Sequence, residues 1–557
     1  MRQWACLAIG AAVLSGCVTS NGGFLPPDAS PQSAYGPFLA GRYAGNNRAL
    51  DDAARLYAEA LSVDPASSYL SERTFYAALL NGDFDQAREA AHHTLDDPAS
   101  AGLSRLYLKA DSLHDIRRRS AVPDIDVSGL GAFGTLFDDL VTHWHLIARD
   151  QFDAALVASQ DLELPAGTAD YVRIHQALLF DAAGEVRAAE DAYRGALATS
   201  SLKSYVATLY GHFLERQGRK DDAITLYEAQ IARGNDGGDV SYALNRARTS
   251  RRAPKRWSDT QYAARALFPL SAILANQSTA DFSALYLRVV QDLDPDLAHN
   301  TFFLAEILER LDMDEAALAL YDHARSGPFS EQAQVSAAWL SYRMGDHEAA
   351  YIRAQDLAAS GRIQPRLLQA DILRMKGDYA GAKVIYEAVL SDAGLQGADI
   401  DWRWHYYAGV CEQQLGDWDA AEAHYQAALA LDPDNARILN HLGYNWIILD
   451  IDVEAGLAMV ERAARLEPTN GSVLDSVGWG YFVLGRYDEA VEILERAAVL
   501  RPGSATVLGH LGDAYWQVGR HLEARFQWRH ALNLDPTPDQ RAHFEARLAE
   551  PFPPSEA

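Results

Sequence analysis

The first pattern in the sequence that could do chemistry is a glycine cluster, Gly-Leu-Gly-Ala-Phe-Gly at residues 129–134. Its spacing is that of a loop that binds the pyrophosphate of a dinucleotide, but such a loop must follow a buried strand. The preceding residues 122–126 read Val-Pro-Asp-Ile-Asp, and a proline with two acids does not fit a buried strand. The sequence therefore predicts a plain loop between repeats here and no dinucleotide cofactor.

Three aspartates, Asp292, Asp294 and Asp296, have the spacing of the first ligands of a calcium-binding loop. Leu297 lies where that loop needs a glycine for its sharp turn, and Phe303 lies where it needs a bidentate glutamate. We therefore do not expect these residues to bind calcium.

Histidines are clustered as His92–His93 and as His143 and His145 around a tryptophan, without a cysteine or an acid at ligand spacing. We expect them to be surface or packing residues. The sequence also contains no phosphate-binding P-loop, no zinc-protease helix and no Gly-x-Ser-x-Gly nucleophile motif. We therefore predict no catalytic residue, no metal site and no cofactor, and hence a protein that is not an enzyme.

The N-terminus has the pattern of an export signal. Its apolar run, residues 5–14, is about half of the roughly 20 residues that cross a bilayer. The following Leu-Ser-Gly-Cys at residues 14–17 resembles the lipobox of bacterial lipoproteins, which implies cleavage before Cys17 and lipidation of that residue. By the same resemblance, Val18 in place of an aspartate implies sorting to the outer membrane, facing the periplasm. The alternative is an ordinary secretory signal with an incidental cysteine.

Cysteine use limits how the fold can be held together. Cys6 lies in the expected leader and Cys17 would carry lipid, so Cys411 is the single remaining thiol. One thiol cannot form an internal disulfide, and the fold must therefore be stabilised by packing. We expect Cys411 itself to be a small packed residue on a helix.

The formal net charge of −27 argues against nucleic-acid binding, which needs a basic face. Within this acidic chain one short segment is basic, and it could dock an acidic partner surface or lipid head groups. Its alternative role is a solvated joint between helices. The basic residues are Arg246, Arg248, Arg251, Arg252, Lys255 and Arg256.

The chain has a regular repeat, and this repeat predicts the helices that position its side chains. Pro433, Pro468, Pro502 and Pro536 are separated by 35, 34 and 34 residues, a period typical of the tetratricopeptide helix-turn-helix repeat. We therefore predict an all-α fold, a right-handed α-solenoid of stacked tetratricopeptide hairpins.

Small residues recur within each unit. An early glycine, such as Gly409, Gly478 or Gly512, should let the first helix approach the second closely. A later glycine should end the first helix in a left-handed turn. Asp450 replaces that later glycine in one unit, so its turn is expected to differ.

Breaks in the period predict the domain organisation. Two stretches rich in glycine, proline or arginine are expected to be joints between solenoid segments. The predicted segments are a signal peptide (1–16), a lipidated flexible tether (17–40), N-terminal hairpins (41–113), an irregular joint (114–134), further repeats (135–233), a basic joint (234–257), degenerate repeats (258–398), well-formed repeats (399–538), and a helix end with a tail (539–557).

The concave face of such an array, lined by the first helix of each hairpin, is the expected partner-binding groove. Aromatic residues at regular intervals there suit peptide capture, although any one of them could instead pack against a neighbouring helix. The predicted groove residues are Tyr406, Arg437, Asn440, Tyr444, Asp475, Trp479, Phe482, Asp513 and Trp516.

The C-terminal run Leu-Asp-Ser-Val-Gly-Trp at residues 474–479, continuing through residues 510–512 to Trp528, is similar to adaptor lipoproteins that bind carboxyl-terminal processing proteases. That resemblance implies a non-catalytic adaptor whose partners are periplasmic proteins or peptides, such as a processing protease and cell-wall hydrolases, with no nucleic acid. Alternatives are an assembly factor for an outer-membrane secretin or pilus, a scaffold for polysaccharide export and, remotely, an enzyme with a repeat region.

Overall fold

The structure, a computed structural model, describes residues 33–95, 102–118, 130–160, 162, 167–277, 280–396 and 399–551. The expected signal peptide, Cys17 and most of the tether lie outside these residues, as does most of the expected joint at 114–134. Every regular element in the described part is a helix, as the all-α prediction requires. None of these helices combines the length and the apolarity that crossing a bilayer demands.

The chain divides into two compact units, residues 1–336 and 337–557. Unit 1 contains one 3-10 helix, Ser112–Arg118, in addition to its α-helices. The α-helices of unit 1 are α1 (Tyr35–Asn46), α2 (Leu50–Val63), α3 (Ser68–Asn81), α4 (Phe84–His93), α5 (Gly102–Asp111), α6 (Gly131–Ile147), α7 (Phe152–Ala158), α8 (Ala169–Ala183), α9 (Val186–Thr199), α10 (Lys203–Arg216), α11 (Lys220–Ala232), α12 (Asp239–Thr249), α13 (Asp259–Gln277), α14 (Ala280–Leu293), α15 (Ala298–Arg310) and α16 (Asp314–His323).

Unit 2 begins within α17 (Ser330–Arg343). Its remaining helices are α18 (His347–Ala358), α19 (Ile363–Met375), α20 (Tyr379–Gln396), α21 (Trp402–Gln414), α22 (Trp418–Leu431), α23 (Ala436–Ile448), α24 (Val453–Leu466), α25 (Gly471–Val483), α26 (Tyr487–Leu500), α27 (Ala505–Gln517), α28 (His521–Leu532) and α29 (Pro538–Ala549).

Side-chain caps start the helices of unit 2 at repeating positions. Asn435, Asn470 and Ser504 accept hydrogen bonds from the first backbone N–H groups of α23, α25 and α27. Asp417 and Asp452 do the same for α22 and α24. Each cap satisfies donors that the helix itself leaves unpaired, so the sequence sets the helix boundaries locally.

The turns between paired helices are left-handed, as predicted. Gly416, Gly485 and Gly519 have φ of +87°, +73° and +80°. The expectation that the turn at Asp450 differs is wrong, because Asp450 adopts the same conformation, with φ of +54°. Aspartate is among the few residue types that enter this region at moderate cost.

Within the hairpins of unit 2, glycine creates the predicted close approach. A Cβ on Gly478 would lie 2.5 Å from Leu494 Cγ, and one on Gly512 would lie 2.5 Å from Trp528 Nε1. Leu494 and Trp528 are fully buried between alanines of the second helices. Cys411 is buried, and burial raises the pKa of its thiol to about 11, in agreement with a packed residue.

Unit 1 differs from a simple array, in which each repeat contacts only its neighbours. Helices α3 and α5 pack against α14, far along the chain. Arg288 on α14 donates from Nε to the carbonyl oxygen of Leu80 at 2.9 Å, and Arg48 pairs with Asp281 at 3.0 Å. The N-terminal hairpins therefore fold back onto a later hairpin of the same unit.

Three local expectations are wrong. Residues 131–134 do not form a loop, because α6 begins at Gly131; a Cβ on Gly134 would lie 2.2 Å from Leu130 Cβ, so this glycine accommodates the preceding leucine. The expected basic joint contains a regular helix, α12. Residues 538–549 form a separate helix, α29, which starts with a capping box between Thr537 and Gln540, rather than a helix end.

Candidate protein-binding groove

The first helices of successive hairpins in unit 2 lie side by side, with α23 against α25, α25 against α27, and α27 against α29. His441, Ser476 and His510 occupy the same repeat position on α23, α25 and α27, two residues before Gly443, Gly478 and Gly512. The repeat therefore brings one polar side chain per helix to the same face of the stack.

Asp475 and His510 form the central polar contact of this face. His510 Nδ1 lies 3.0 Å from Asp475 Oδ1, and both residues are largely buried. Burial lowers the pKa of His510, but the Asp475 carboxylate outweighs this effect, so the net shift of the pKa is upward. The pair holds α27 to α25 and fixes the orientation of the imidazole.

Aromatic rings cover this pair. Trp479 stacks on His510 with ring centroids 4.1 Å apart, and on Phe482 with centroids 4.7 Å apart. Both Trp479 and Phe482 remain partly exposed. Trp479 and Phe482 therefore form an aromatic surface, and the Asp475–His510 pair beneath it fixes its orientation.

Asp513 connects the last helices. Its Oδ1 accepts a hydrogen bond from Trp528 Nε1 at 3.1 Å, and its Oδ2 lies 3.0 Å from His543 Nε2 on α29. Arg547 Nε is 3.7 Å from the same carboxylate. The buried acid is therefore satisfied within the protein, as a buried carboxylate must be.

A cavity of about 310 Å³ opens between α25, α27 and α29. Its floor is mainly apolar, and a Cβ on Gly509 would lie 2.5 Å from the Phe544 ring, so glycine keeps this floor compact. Its volume suits one large side chain of a bound segment. The lining residues are Trp479, Thr506, Gly509, His510, Asp513, Asp539, Gln540, His543 and Phe544.

The structure brings some of the predicted groove residues together and buries others. Trp479 and Asp513 line the cavity, and Phe482 adjoins it. Tyr406, Asp475 and Asp513 are buried, so the expectation that they are presented on the open face is wrong for these three. Tyr406 packs against Tyr425 and His441, with ring centroids 5.7 and 5.6 Å away.

The other predicted residues lie nearer the surface. Arg437 is exposed, Tyr444 is half-buried and Trp516 packs edge-on against His521. Burial and the charge of Asp475 raise the pKa of Tyr444 to about 12, so its hydroxyl stays protonated. The Asn440 Oδ1 atom is buried and accepts no hydrogen bond from the described residues.

Sequence reasoning missed His510, His543 and Phe544. A usable signal exists for His510, because it lies on α27 at the repeat position that His441 occupies on α23, two residues before the repeat glycine. His543 and Phe544 belong to α29, which the sequence did not predict as a separate helix, and no repeat signal marks them.

The basic segment is only partly available for docking. Arg246 pairs with Glu215 at 2.5 Å, Arg248 pairs with Glu228, and Arg256 donates to the Ala182 carbonyl oxygen. These three residues stabilise unit 1, which corrects their assignment to a free patch. The exposed remainder is Arg251, Arg252 and Lys255.

Arg246 also borders a second cavity, of about 230 Å³, in unit 1. The charged groups on its wall are neutralised internally, since Arg265 pairs with Asp294 at 2.6 Å and His299 with Asp239 at 2.9 Å. This cavity therefore gives a weaker basis for ligand selection than the groove of unit 2.

Comparisons with known proteins agree with this architecture. A sequence profile described as TPR repeat matches residues 413–444, and one described as tetratricopeptide repeat matches residues 175–238 and 478–529. With the paired helices and their left-handed turns, these matches support an all-α helical-repeat protein and protein partners in general. The matching repeats are of the tetratricopeptide type and fall in both units. No curated protein matches the chain.

Several solved structures are similar over part of the chain. A tetratricopeptide-repeat protein from Parabacteroides merdae is 12% identical, with a TM-score of 0.38, over 45% of this chain and 99% of its own. A thermophilic TPR protein from Thermus thermophilus is 22% identical, with a TM-score of 0.29, over 34% and 100%. MamA from AMB-1 is 25% identical, with a TM-score of 0.26, over 30% and 97%.

Proposed function

We propose that this chain is a non-catalytic adaptor that holds a segment of a partner protein in the groove of unit 2. The observation that carries the proposal is the cavity between α25, α27 and α29, which has a partly exposed Trp479 at its edge. Aromatic side chains beside a desolvated pocket supply most of the energy at many protein interfaces.

The groove also defines the chemistry of its occupant. The exposed Asp539 lines the cavity, and the whole chain is strongly acidic. A neutral or basic segment with one large apolar side chain fits this surface, because an acidic segment would meet like charge.

We further propose that the adaptor works in the bacterial cell envelope, anchored to the outer membrane through lipid on Cys17. Support comes from the lipobox-like residues 14–17 and from the Gly-, Pro- and Ser-rich stretch that follows them. Partners of the protease-adaptor kind, a processing protease and cell-wall hydrolases, follow from the resemblance of the C-terminal repeats. Labelling cells with a fatty-acid analogue tests the anchor: the wild type should be labelled and Cys17→Ser should not.

Quantitative capture from envelope extract tests the adaptor role. The bait is the wild-type chain, Trp479→Ala, or Phe526→Ala as a matched control, because Phe526 is exposed on α28 and does not line the cavity. Loss of a central aromatic anchor typically costs about 1–3 kcal/mol, or roughly tenfold to hundredfold in affinity. The same envelope protein should bind wild type and Phe526→Ala but not Trp479→Ala. Equal capture by all three baits would refute a role for this groove.

A further inference from the structure

Outside the groove, three consecutive helices of unit 2 bring together two carboxylates and an imidazole. Glu387 on α20, Glu412 on α21 and His424 on α22 each place a potential ligand atom within 4.8 Å of the other two. No sequence motif marks this cluster, because each residue comes from a different helix. Oxygen and imidazole nitrogen at such separations are compatible with one divalent ion.

A second histidine adjoins the cluster. His405 Nδ1 lies 3.1 Å from His424 Nδ1. Two imidazole nitrogens at this distance can share one hydrogen, so His405 fixes the orientation of the His424 ring beside the two carboxylates.

Glu412 shows that the cluster is incompletely satisfied. Its side chain is buried, with the residue only 2% exposed. Its Oε1 accepts from Lys383 Nζ at 2.7 Å, whereas its Oε2 is buried and accepts no hydrogen bond from any described residue. A buried carboxylate oxygen without a partner is costly, so this atom favours an additional cation.

We propose that Glu387, Glu412 and His424 form a binding site for a divalent transition-metal ion of the Zn²⁺ class, with His405 holding the His424 ring in position. An imidazole nitrogen with carboxylate oxygens is a donor set that Zn²⁺ accepts, and hard ions such as Mg²⁺ prefer oxygen alone. The ion would connect α20, α21 and α22, and so would fasten one hairpin to the next. This site is independent of the groove.

Lys383 would compete with a metal ion for the carboxylates of this site. Its ammonium group pairs with Glu412 and lies 3.9 Å from Glu387. The lysine side chain is 30% exposed, so it can turn towards solvent when a metal ion replaces it. The proposal therefore requires that removing the lysine charge strengthens metal binding.

A similar cluster in unit 1 helps to define what makes this one different. Asp111, His114 and Asp292 also bring ligand atoms within 4.8 Å of one another. There, however, Arg88 binds both oxygens of Asp111, at 2.9 and 3.0 Å from its Nε. That carboxylate is already occupied by a fixed guanidinium, so we assign no ion to it.

The test is a zinc titration of the full chain, freed of metal, in competition with a chromophoric chelator. We expect one tight equivalent in the wild type, binding weakened at least about tenfold in His424→Gln, and tighter binding in Lys383→Gln. His530→Gln is the matched control, because His530 is exposed and remote from the cluster in sequence. It should bind like the wild type.

Thermal unfolding gives a second readout that does not depend on the competitor. A ligand that binds only the folded state raises the melting temperature, so zinc should raise that of the wild type and of His530→Gln but not that of His424→Gln. His405→Gln should show a reduced shift. The proposal is overturned if wild type and His424→Gln bind zinc equally, or if Lys383→Gln binds it more weakly than the wild type.

Discussion

At the scale of single residues, glycine sets how closely the two helices of a hairpin approach. Gly478 is surrounded by Leu494 and the Ala490 carbonyl oxygen, and there is no room for a methyl group unless one of them moves. Gly394, in contrast, lies in α20 with nothing within 4 Å of a built Cβ. Both glycines lie within helices, but only Gly478 is crowded. Comparing an alanine substitution at each position therefore separates the cost of overpacking from the gain in helix propensity.

We expect Gly478→Ala to lower the free energy of unfolding of unit 2 by about 1–3 kcal/mol, because overpacking forces the helices apart. Gly394→Ala should raise that free energy by up to about 1 kcal/mol, because alanine favours helix. Urea unfolding followed by circular dichroism measures both changes. Equal effects of the two substitutions would contradict the packing role of Gly478.

Asp450 offers a second test at this scale. It is exposed and holds a left-handed conformation that its neighbouring repeats assign to glycine. Asp450→Gly should therefore stabilise unit 2 by up to about 1 kcal/mol, since relief of strain exceeds the entropy cost of glycine. Asp419→Gly, in the first turn of α22, should instead destabilise it by a few tenths of a kcal/mol. A destabilising Asp450→Gly would show that the turn is not strained.

The repeat in the sequence predicts where helices approach closely at a glycine, but it does not predict which aromatic side chains are exposed. The repeat period correctly placed Gly409, Gly478 and Gly512 at close helix approaches, because sterics alone determine that role. It could not decide whether Tyr406 or Trp479 faces the groove, because both lie on first helices and only the neighbouring repeat decides which one is covered.

At the scale of elements, helices α6 and α8 of unit 1 are joined by buried histidines. His143 Nδ1 lies 3.0 Å from His175 Nε2, and His145 Nε2 donates a hydrogen bond to the Lys109 carbonyl oxygen at 2.9 Å. Burial, with a smaller contribution from Lys109, lowers the pKa of His143 to about 4. Burial also lowers the pKa of His145 to about 4. Asp138 pairs with Lys109 at 2.6 Å and so neutralises the nearest charge.

These lowered pKa values make the local stability of α6 depend on pH. Above pH 6.5 each histidine is neutral in both folded and unfolded chains, whereas between pH 6.5 and 4 only the unfolded chain takes up the proton. Stability is therefore full at pH 7 and falls on acidification, by about 2 kcal/mol per histidine at pH 5. Hydrogen exchange of α6 amides, corrected for intrinsic rates, should show this loss, and His143→Gln should reduce it. Unchanged protection at pH 5 would contradict the neutral buried state.

The positions of the helices also show in which part of the chain the repeat period predicts the structure and in which part it does not. Helices α21 to α28 form the hairpins that the repeat predicts, because each hairpin buries its apolar face on its neighbour. Helix α29 follows them without a repeat signal. In unit 1 the contact of α3 and α5 with α14 depends on Arg288, a buried guanidinium that reaches the backbone of Leu80. A contact across about 200 residues follows no local rule, and the sequence did not reveal it.

At the scale of the whole molecule, the helical repeats suit a protein that binds other proteins. The described part of unit 2 combines a cavity between α25, α27 and α29 with the partly exposed Trp479 and Phe482. The proposed zinc site lies on earlier helices of the same unit, so loss of metal and loss of partner binding are separable outcomes. The acidic surface favours neutral or basic partners throughout.

Site-specific photo-crosslinking in living cells tests partner binding in the groove most directly. Benzoylphenylalanine replaces Phe482, which stacks on the cavity residue Trp479, or Phe526, which is exposed on α28. We expect a discrete crosslinked partner for position 482 that disappears when Trp479→Ala is added, and no such product for position 526. The same product from both positions, or a position-482 product that survives Trp479→Ala, would contradict binding in the groove.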